Sequence, residues 1–296
     1  MKGHLATVIP FFHKVRSPLT RDSAFILFVA LNTLIMGLET YLAHVLNGTI
    51  RFNEWIPVVC GPFFAILLVI SFALARRKPQ LALWLAATAL VGSIIVGLLG
   101  TYFHFIRAIR PFAASGDRVS IDLLVWGAPV FAPPTFILVG VLGLIALVKT
   151  DGQKRGGTYG SGLPGRLPLA KDQFFFVLAS LGILIATISS LFDHLRGGFD
   201  NPWLWLPTLS GLLGIVTALV LAILKQPGRG DLTIYTGVMC LLLCVGPLGL
   251  LFHVLHDLGP GSAITIERFL RGAPVLAPMV FANMALLGLI VLLDPD

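Results

Sequence analysis

Eight stretches of this chain are apolar over about twenty residues or more, enough to carry an α-helix across a hydrocarbon core of about 30 Å. They run near 24–46, 55–75, 81–106, 122–148, 173–196, 203–224, 232–256 and 273–293. Lipid offers no partner to an exposed peptide group, so segments of this length cross as helices, whose backbone bonds stay within the segment. Composition agrees. The chain is 56% hydrophobic and 12% charged, where a soluble domain carries about 25% charge, and its mean hydropathy is +0.92. The fold class read from this pattern is an all-α integral membrane protein of eight transmembrane helices.

The chain is also written twice. Gly97-Leu98-Leu99-Gly100-Thr101-Tyr102-Phe103-His104 returns as Gly246-Pro247-Leu248-Gly249-Leu250-Leu251-Phe252-His253. Gly127-Ala128-Pro129-Val130-Phe131-Ala132-Pro133 returns as Gly272-Ala273-Pro274-Val275-Leu276-Ala277-Pro278. His44, Gly48, Trp55 and Pro57 recur 150 residues later as His194, Gly198, Trp205 and Pro207. Self-similarity on this scale marks repeated architecture. The expected organisation is an N-terminal tail over 1–22, a first four-helix repeat over 23–148, a linker over 149–172 and a second repeat over 173–296. Each repeat holds two outward-facing hairpins. An even number of spans per repeat leaves the two halves parallel, related by an axis along the membrane normal.

Lys and Arg set the orientation. The termini and the loops after spans 2, 4 and 6 hold Lys2, Lys14, Arg16, Arg21, Arg76, Arg77, Lys78, Lys149, Lys154, Arg155, Arg166, Lys171, Lys225 and Arg229, most of the 21 cations in the chain. Both termini are therefore expected on the cytoplasmic side of a bacterial-type inner membrane. The same asymmetry accounts for a pI of 9.7 without a nucleic-acid partner, and no nucleotide fingerprint or phosphate loop occurs. The first 21 residues lack a signal-peptide cleavage site. Val8 to Phe12, with His13, Lys14 and Arg16, suit the inner leaflet surface. The linker, rich in Gly, Pro and basic residues, reads as a flexible join. Cys60, Cys240 and Cys244 fall within spans and read as small buried apolar side chains.

Five of seven histidines, His44, His104, His194, His253 and His256, fall at the outer ends of spans 1, 3, 5 and 7. Neutral imidazole is the commonest protein metal ligand, and iron, copper or zinc suit such sites. His253 and His256 stand i and i+3 on one helix, with Asp257 next to them to complete a chelate. Glu39 and Asp193 are the acids within the spans. A charge there costs roughly 2.5–3.5 kcal/mol on insertion scales and faces the protein interior or a cavity. Both are expected beside the imidazoles, fixing their tautomers. Asp122 and Glu267, each seven residues before the first proline of the GAPVxAP segment, join them as outer-shell acids. The prolines of that segment are expected to kink spans 4 and 8 within their first two turns.

Plainer roles fit the same residues. An acid two residues after Ser120 or Thr265 complements a helix dipole. Histidine at a span end suits the headgroup zone, and Trp55, Trp126, Trp203, Trp205, Tyr41 and Tyr102 form an interfacial belt. One His-to-hairpin hydrogen bond copied four times would leave the same pattern. The leading expectation is an outer-face cluster of His44, His104, His194, His253, His256 and Asp257 binding a metal ion or haem iron. The protein would then be the membrane subunit of a larger redox or cofactor-bearing complex, partnered by lipid and by a membrane or extracytoplasmic protein. No hydrolase motif points to catalysis by the chain itself. The other readings are a cofactor-free anchor or scaffold, and a transporter or channel for a small solute. Missing mid-membrane acids weigh against ion-coupled transport.

Overall fold

A computed structural model describes residues 4–8, 19–46, 48, 50–108, 129–149, 159, 162–165, 167–259, 273 and 275–293. Among these residues the chain is helical and holds no strand beyond one isolated bridge. The helices are α1 (His4–Val8), α2 (Arg21–Leu46), α3 (Trp55–Leu74), α4 (Pro79–Ala108), α5 (Pro134–Leu147), α6 (Lys171–Gly197), α7 (Leu206–Ile223), α8 (Arg229–Leu258) and α9 (Met279–Ile290). Six of them, α2, α3, α4, α6, α7 and α8, are long and apolar enough to cross a membrane. The outward faces of these spans carry large apolar side chains. Val59, Ile66, Leu98, Leu209 and Val216 are all more than half exposed. This is the architecture of a helical, multi-pass membrane protein. Cys240 and Cys244 belong to such outward faces. They are exposed rather than buried, since lipid is as apolar as a protein core and removes the reason to bury them.

α5 and α9 are shorter, at 14 and 12 residues, or about 21 and 18 Å of helix. The sequence predicts longer spans there, kinked by proline. Instead Pro133 caps α5, Pro134 opens its first turn, and Pro278 caps α9. A proline at a helix start gives up an N–H that has no intrahelical partner anyway, so these residues begin the helices rather than bend them. Residues 109–128, which precede α5, lie outside the described residues. Proline inside a helix occurs at Pro62 of α3 and Pro247 of α8.

The chain divides into two compact units, one of residues 1–5, 11–174 and 293–296, the other of residues 6–10 and 175–292. In the first, α2 packs on α3, α3 on α4, and α5 on both α4 and α2, around Phe25, Leu68, Leu90 and Leu142. α2 and α3 approach at backbone distance. A Cβ on Gly61 would stand 2.6 Å from the Thr33 carbonyl oxygen and 2.8 Å from Gly37 Cα. In the second unit α8 packs on α7 and α9, around Ile183, Leu221, Tyr235 and Phe281. The buried Tyr235 hydroxyl donates to the Gly288 carbonyl at 3.1 Å, and Phe176 meets its ring edge-on at 5.2 Å.

The duplicated motifs make matching contacts within each unit. Gly97 and Gly100 of α4 abut Ile137 and Pro133, as Gly246 and Gly249 of α8 abut Ala282 and Pro278. The glycines of one motif are thus the sockets for the proline segment of the other. The short hairpins match as well. Gly48 has φ +121° and Gly198 has φ +76°, a region open to glycine because it lacks a Cβ. A single 3₁₀ turn follows each, Phe52–Glu54 and Pro202–Trp205.

Close packing through glycine yields a direct test. Gly61→Ala forces a methyl group into backbone that cannot swing aside and is expected to destabilise the protein by about 1–3 kcal/mol. Gly230→Ala, where nothing lies within 4 Å, is expected to be neutral or slightly stabilising. Thermal unfolding in detergent compares the two; equal melting temperatures would contradict the α2–α3 geometry.

Candidate functional site

The helices bring one pair of terminal histidines into ring contact. In the first unit His44, in the last turn of α2, and His104, near the end of α4, have ring centroids 6.2 Å apart at an interplanar angle of 67°. His44 Nδ1 lies 2.7 Å from the Thr40 carbonyl oxygen of its own helix. His104 Nδ1 lies 3.0 Å from the Pro129 carbonyl oxygen, across the long hairpin. A carbonyl only accepts, so each Nδ1 carries the proton and each Nε2 keeps its lone pair. That is the tautomer in which a ligating histidine is held by an outer-shell carbonyl. With metal–nitrogen bonds of about 2 Å, two imidazole centroids sharing one ion lie roughly 5–6.5 Å apart. The observed 6.2 Å falls in that range.

In the second unit His194 of α6 and His253 of α8 lie within electrostatic reach of each other. His194 Nδ1 is buried with no hydrogen-bond partner among the described residues. Phe199 meets the His194 ring edge-on at 6.1 Å and stacks on Trp205 at 4.3 Å. Asp193 pairs with Arg196 at 3.3 Å, one turn along α6.

The remaining candidate residues take separate places. His256 is exposed. Asp257 is buried, and its Oδ1 accepts the Ala273 N–H at 2.8 Å, which fastens the end of α8 to the start of the second proline segment. Glu39 is exposed on α2, and the carbonyl of Thr40, not the Glu39 carboxylate, orients His44. Asp122 and Glu267 lie outside the described residues. Among the described residues no group of three or more His, Cys, Asp or Glu side chains is placed to hold a metal ion. Tyr41 and Trp55 lie 6.2 Å apart beside the first pair, and Trp203 lies 5.9 Å from Phe252 beside the second.

The most connected polar cluster sits at the opposite end of the helices and is absent from the sequence-level candidates. Arg21 and Asp22 open α2, Lys171 and Asp172 open α6, and all four belong to the first unit. The Arg21 guanidinium meets Asp172, and Lys171 Nζ meets Asp22 Oδ2 at 2.7 Å. The exchange is reciprocal, basic residue of each pair to acid of the other. Lys171 also donates to the Ala146 and Val148 carbonyls at 2.9 and 3.0 Å, so all three of its N–H bonds are used. His4 Nε2 lies 3.3 Å from the other Asp172 oxygen. The described linker residues add to this junction. Leu163 N–H donates to the Leu147 carbonyl at 2.9 Å, and Lys149 N–H to the Leu163 carbonyl at 3.2 Å. Part of the segment expected to be a flexible join is thus bonded to the end of α5, where helix carbonyls lack partners of their own. One signal pointed here: Arg21-Asp22 and Lys171-Asp172 are 150 residues apart, the same spacing that relates His44 to His194.

No protein family, curated protein or solved structure matches this chain. Geometry and chemistry alone therefore carry the functional reading.

The buried junction predicts a non-additive pair of substitutions. Lys171→Met takes the ammonium donor from Asp22 Oδ2 and from two carbonyls, leaving Asp22 its Arg21 contact at 3.4 Å, and is expected to destabilise by about 3 kcal/mol. Adding Asp22→Asn removes the carboxylate that lost its ammonium partner and is expected to restore part of that loss. Unfolding of both variants and of the parent measures the coupling. Losses that simply add would show that the two residues act apart.

Proposed function

We propose that this protein is the membrane subunit of a larger redox or cofactor-bearing assembly, and that its paired terminal imidazoles hold a transition-metal ion or haem iron. Eight spans in two parallel four-span repeats, with both termini cytoplasmic, put these imidazoles at the outer face of an inner membrane. The matching glycine–proline contacts of α4 with α5 and of α8 with α9 support the repeat. The Lys and Arg distribution supports the orientation.

One observation carries the reading. His44 and His104 lie at ligand-sharing distance, each with Nδ1 committed to a carbonyl and Nε2 left basic. Imidazole nitrogen suits iron, copper and zinc. Two histidines leave coordination positions open, and these fall to water or to a group on a partner subunit. The chain thus supplies part of a centre, as a subunit does.

A second reading, a cofactor-free anchor, draws on two of the same bonds. His104 to Pro129 and Asp257 to Ala273 both close a long hairpin with a buried or half-buried side chain. Metal analysis and an absorption spectrum of the detergent-purified protein separate the two. The metal centre predicts bound metal, with affinity lowered by about 100-fold or more in His44→Ala. His104→Asn keeps an N–H where Nδ1 stood. It is expected to lose metal yet melt at the parental temperature. Metal-free, colourless parent protein that remains folded would sink the metal centre. It would leave the anchor, in which His104→Ala destabilises and His104→Asn does not.

A further inference from the structure

α2 carries an ionisable side chain that no neighbour answers among the described residues. On its outward face Leu31, Leu34, Ile35, Leu38, Leu42 and Val45 recur at spacings of three and four and are 37–54% exposed. Glu39 flanks this stripe, is itself exposed, and makes no hydrogen bond or ion pair among the described residues. α3 occupies a different face, where Gly37 abuts Pro62 and Gly61. An apolar stripe alone is satisfied by lipid, whereas a carboxylate within a span is not.

Depth removes the simplest escape. Glu39 lies seven residues before the end of α2 at Leu46, about 10 Å along the helix axis. Long Lys and Arg side chains reach the interface from such depths by extending their stems, but a glutamate has only two methylene groups. A cationic partner within the membrane would satisfy it. A second copy of the chain docked through the same face would be isologous and would set Glu39 against its own equivalent. Like charges so placed repel. Charge complementarity instead calls for a cation.

We infer that this face of α2 is the docking site for a transmembrane helix of a partner subunit that brings a Lys or Arg to the depth of Glu39. The inference rests on the membrane-subunit reading above but not on any bound metal.

The full chain, dye-labelled at its C-terminus and reconstituted in phosphatidylcholine vesicles, can be titrated with synthetic Leu/Ala transmembrane helices bearing an acceptor dye. One helix carries a single lysine a third of the way along, and its control carries none. Energy transfer is expected to show at least tenfold tighter association with the lysine helix, lost in Glu39→Gln. Glu39→Lys is expected to reverse the preference, binding a helix that carries glutamate at that depth. Equal association of both helices with the parent chain would overturn the inference, as would undiminished binding by Glu39→Gln. So would energy transfer between copies of the chain that disappears in Glu39→Gln, since the face would then serve self-association. Glu39 makes no hydrogen bond or ion pair among the described residues, so Glu39→Gln is expected to fold, and its unfolding temperature checks this. Metal content measured on the same preparations keeps the outcomes apart, because metal-free protein that still selects the lysine helix refutes the metal centre alone.

Discussion

The ammonium group of Lys171 is the point on which the first unit turns. It satisfies a buried carboxylate and two carbonyls at the end of α5 with its three hydrogens. It stands at the first residue of α6, beside the first turn of α2. Arg21, Asp22 and Lys171 are buried in the protein, where no water completes a helix end, so orphan carbonyls and stranded charges weigh more there than on an exposed surface. Gathering them around one cation settles several such groups together. The second ion pair, Arg21 with Asp172, repeats the arrangement in mirrored sense.

Elsewhere the spans hold by shape. Helices surrounded by lipid gain little from hiding apolar side chains, because lipid tails are as apolar as leucine, so contact comes from small residues that let backbones approach. Gly37 with Gly61, Gly97 with Ile137 and Gly246 with Ala282 are such contacts. They explain why the outward faces stay rich in large aliphatic side chains and why the glycines of the repeated motif recur in register. The histidines follow from the same packing. α4 is pressed against α5 by Gly97 and Gly100, which brings His104 under the Pro129 carbonyl and beside His44.

Much of the candidate site was legible in the chain as text. His44 and His104, and likewise His194 and His253, could be set at span ends from hydropathy alone. The reciprocal acid–base pairs were legible too, through their 150-residue spacing, although no motif rule singles out a dipeptide at a helix start. Other features were not. Asp257 stands beside His256 in sequence, yet on a helix neighbouring residues point about 100° apart, and its carboxylate turns to Ala273. Thr40, four residues before His44, takes the orienting role that Glu39 was expected to fill. The prolines that looked like kinks became helix starts because their position relative to the first helical residue depends on how the preceding loop folds.

The chain by itself determined that long helices must cross a membrane, since composition and segment length leave the backbone no other way to satisfy its hydrogen bonds. It also determined the duplication and the clustering of histidines at one set of helix ends, since both follow from linear spacing. Tertiary structure alone decided which histidines meet, which ring nitrogen stays basic and which cation answers which carboxylate. Those depend on the rotation of each helix about its axis and on carbonyls distant in sequence. Such contacts are set by a few ångströms of packing between glycines, a distance that no spacing along the chain encodes.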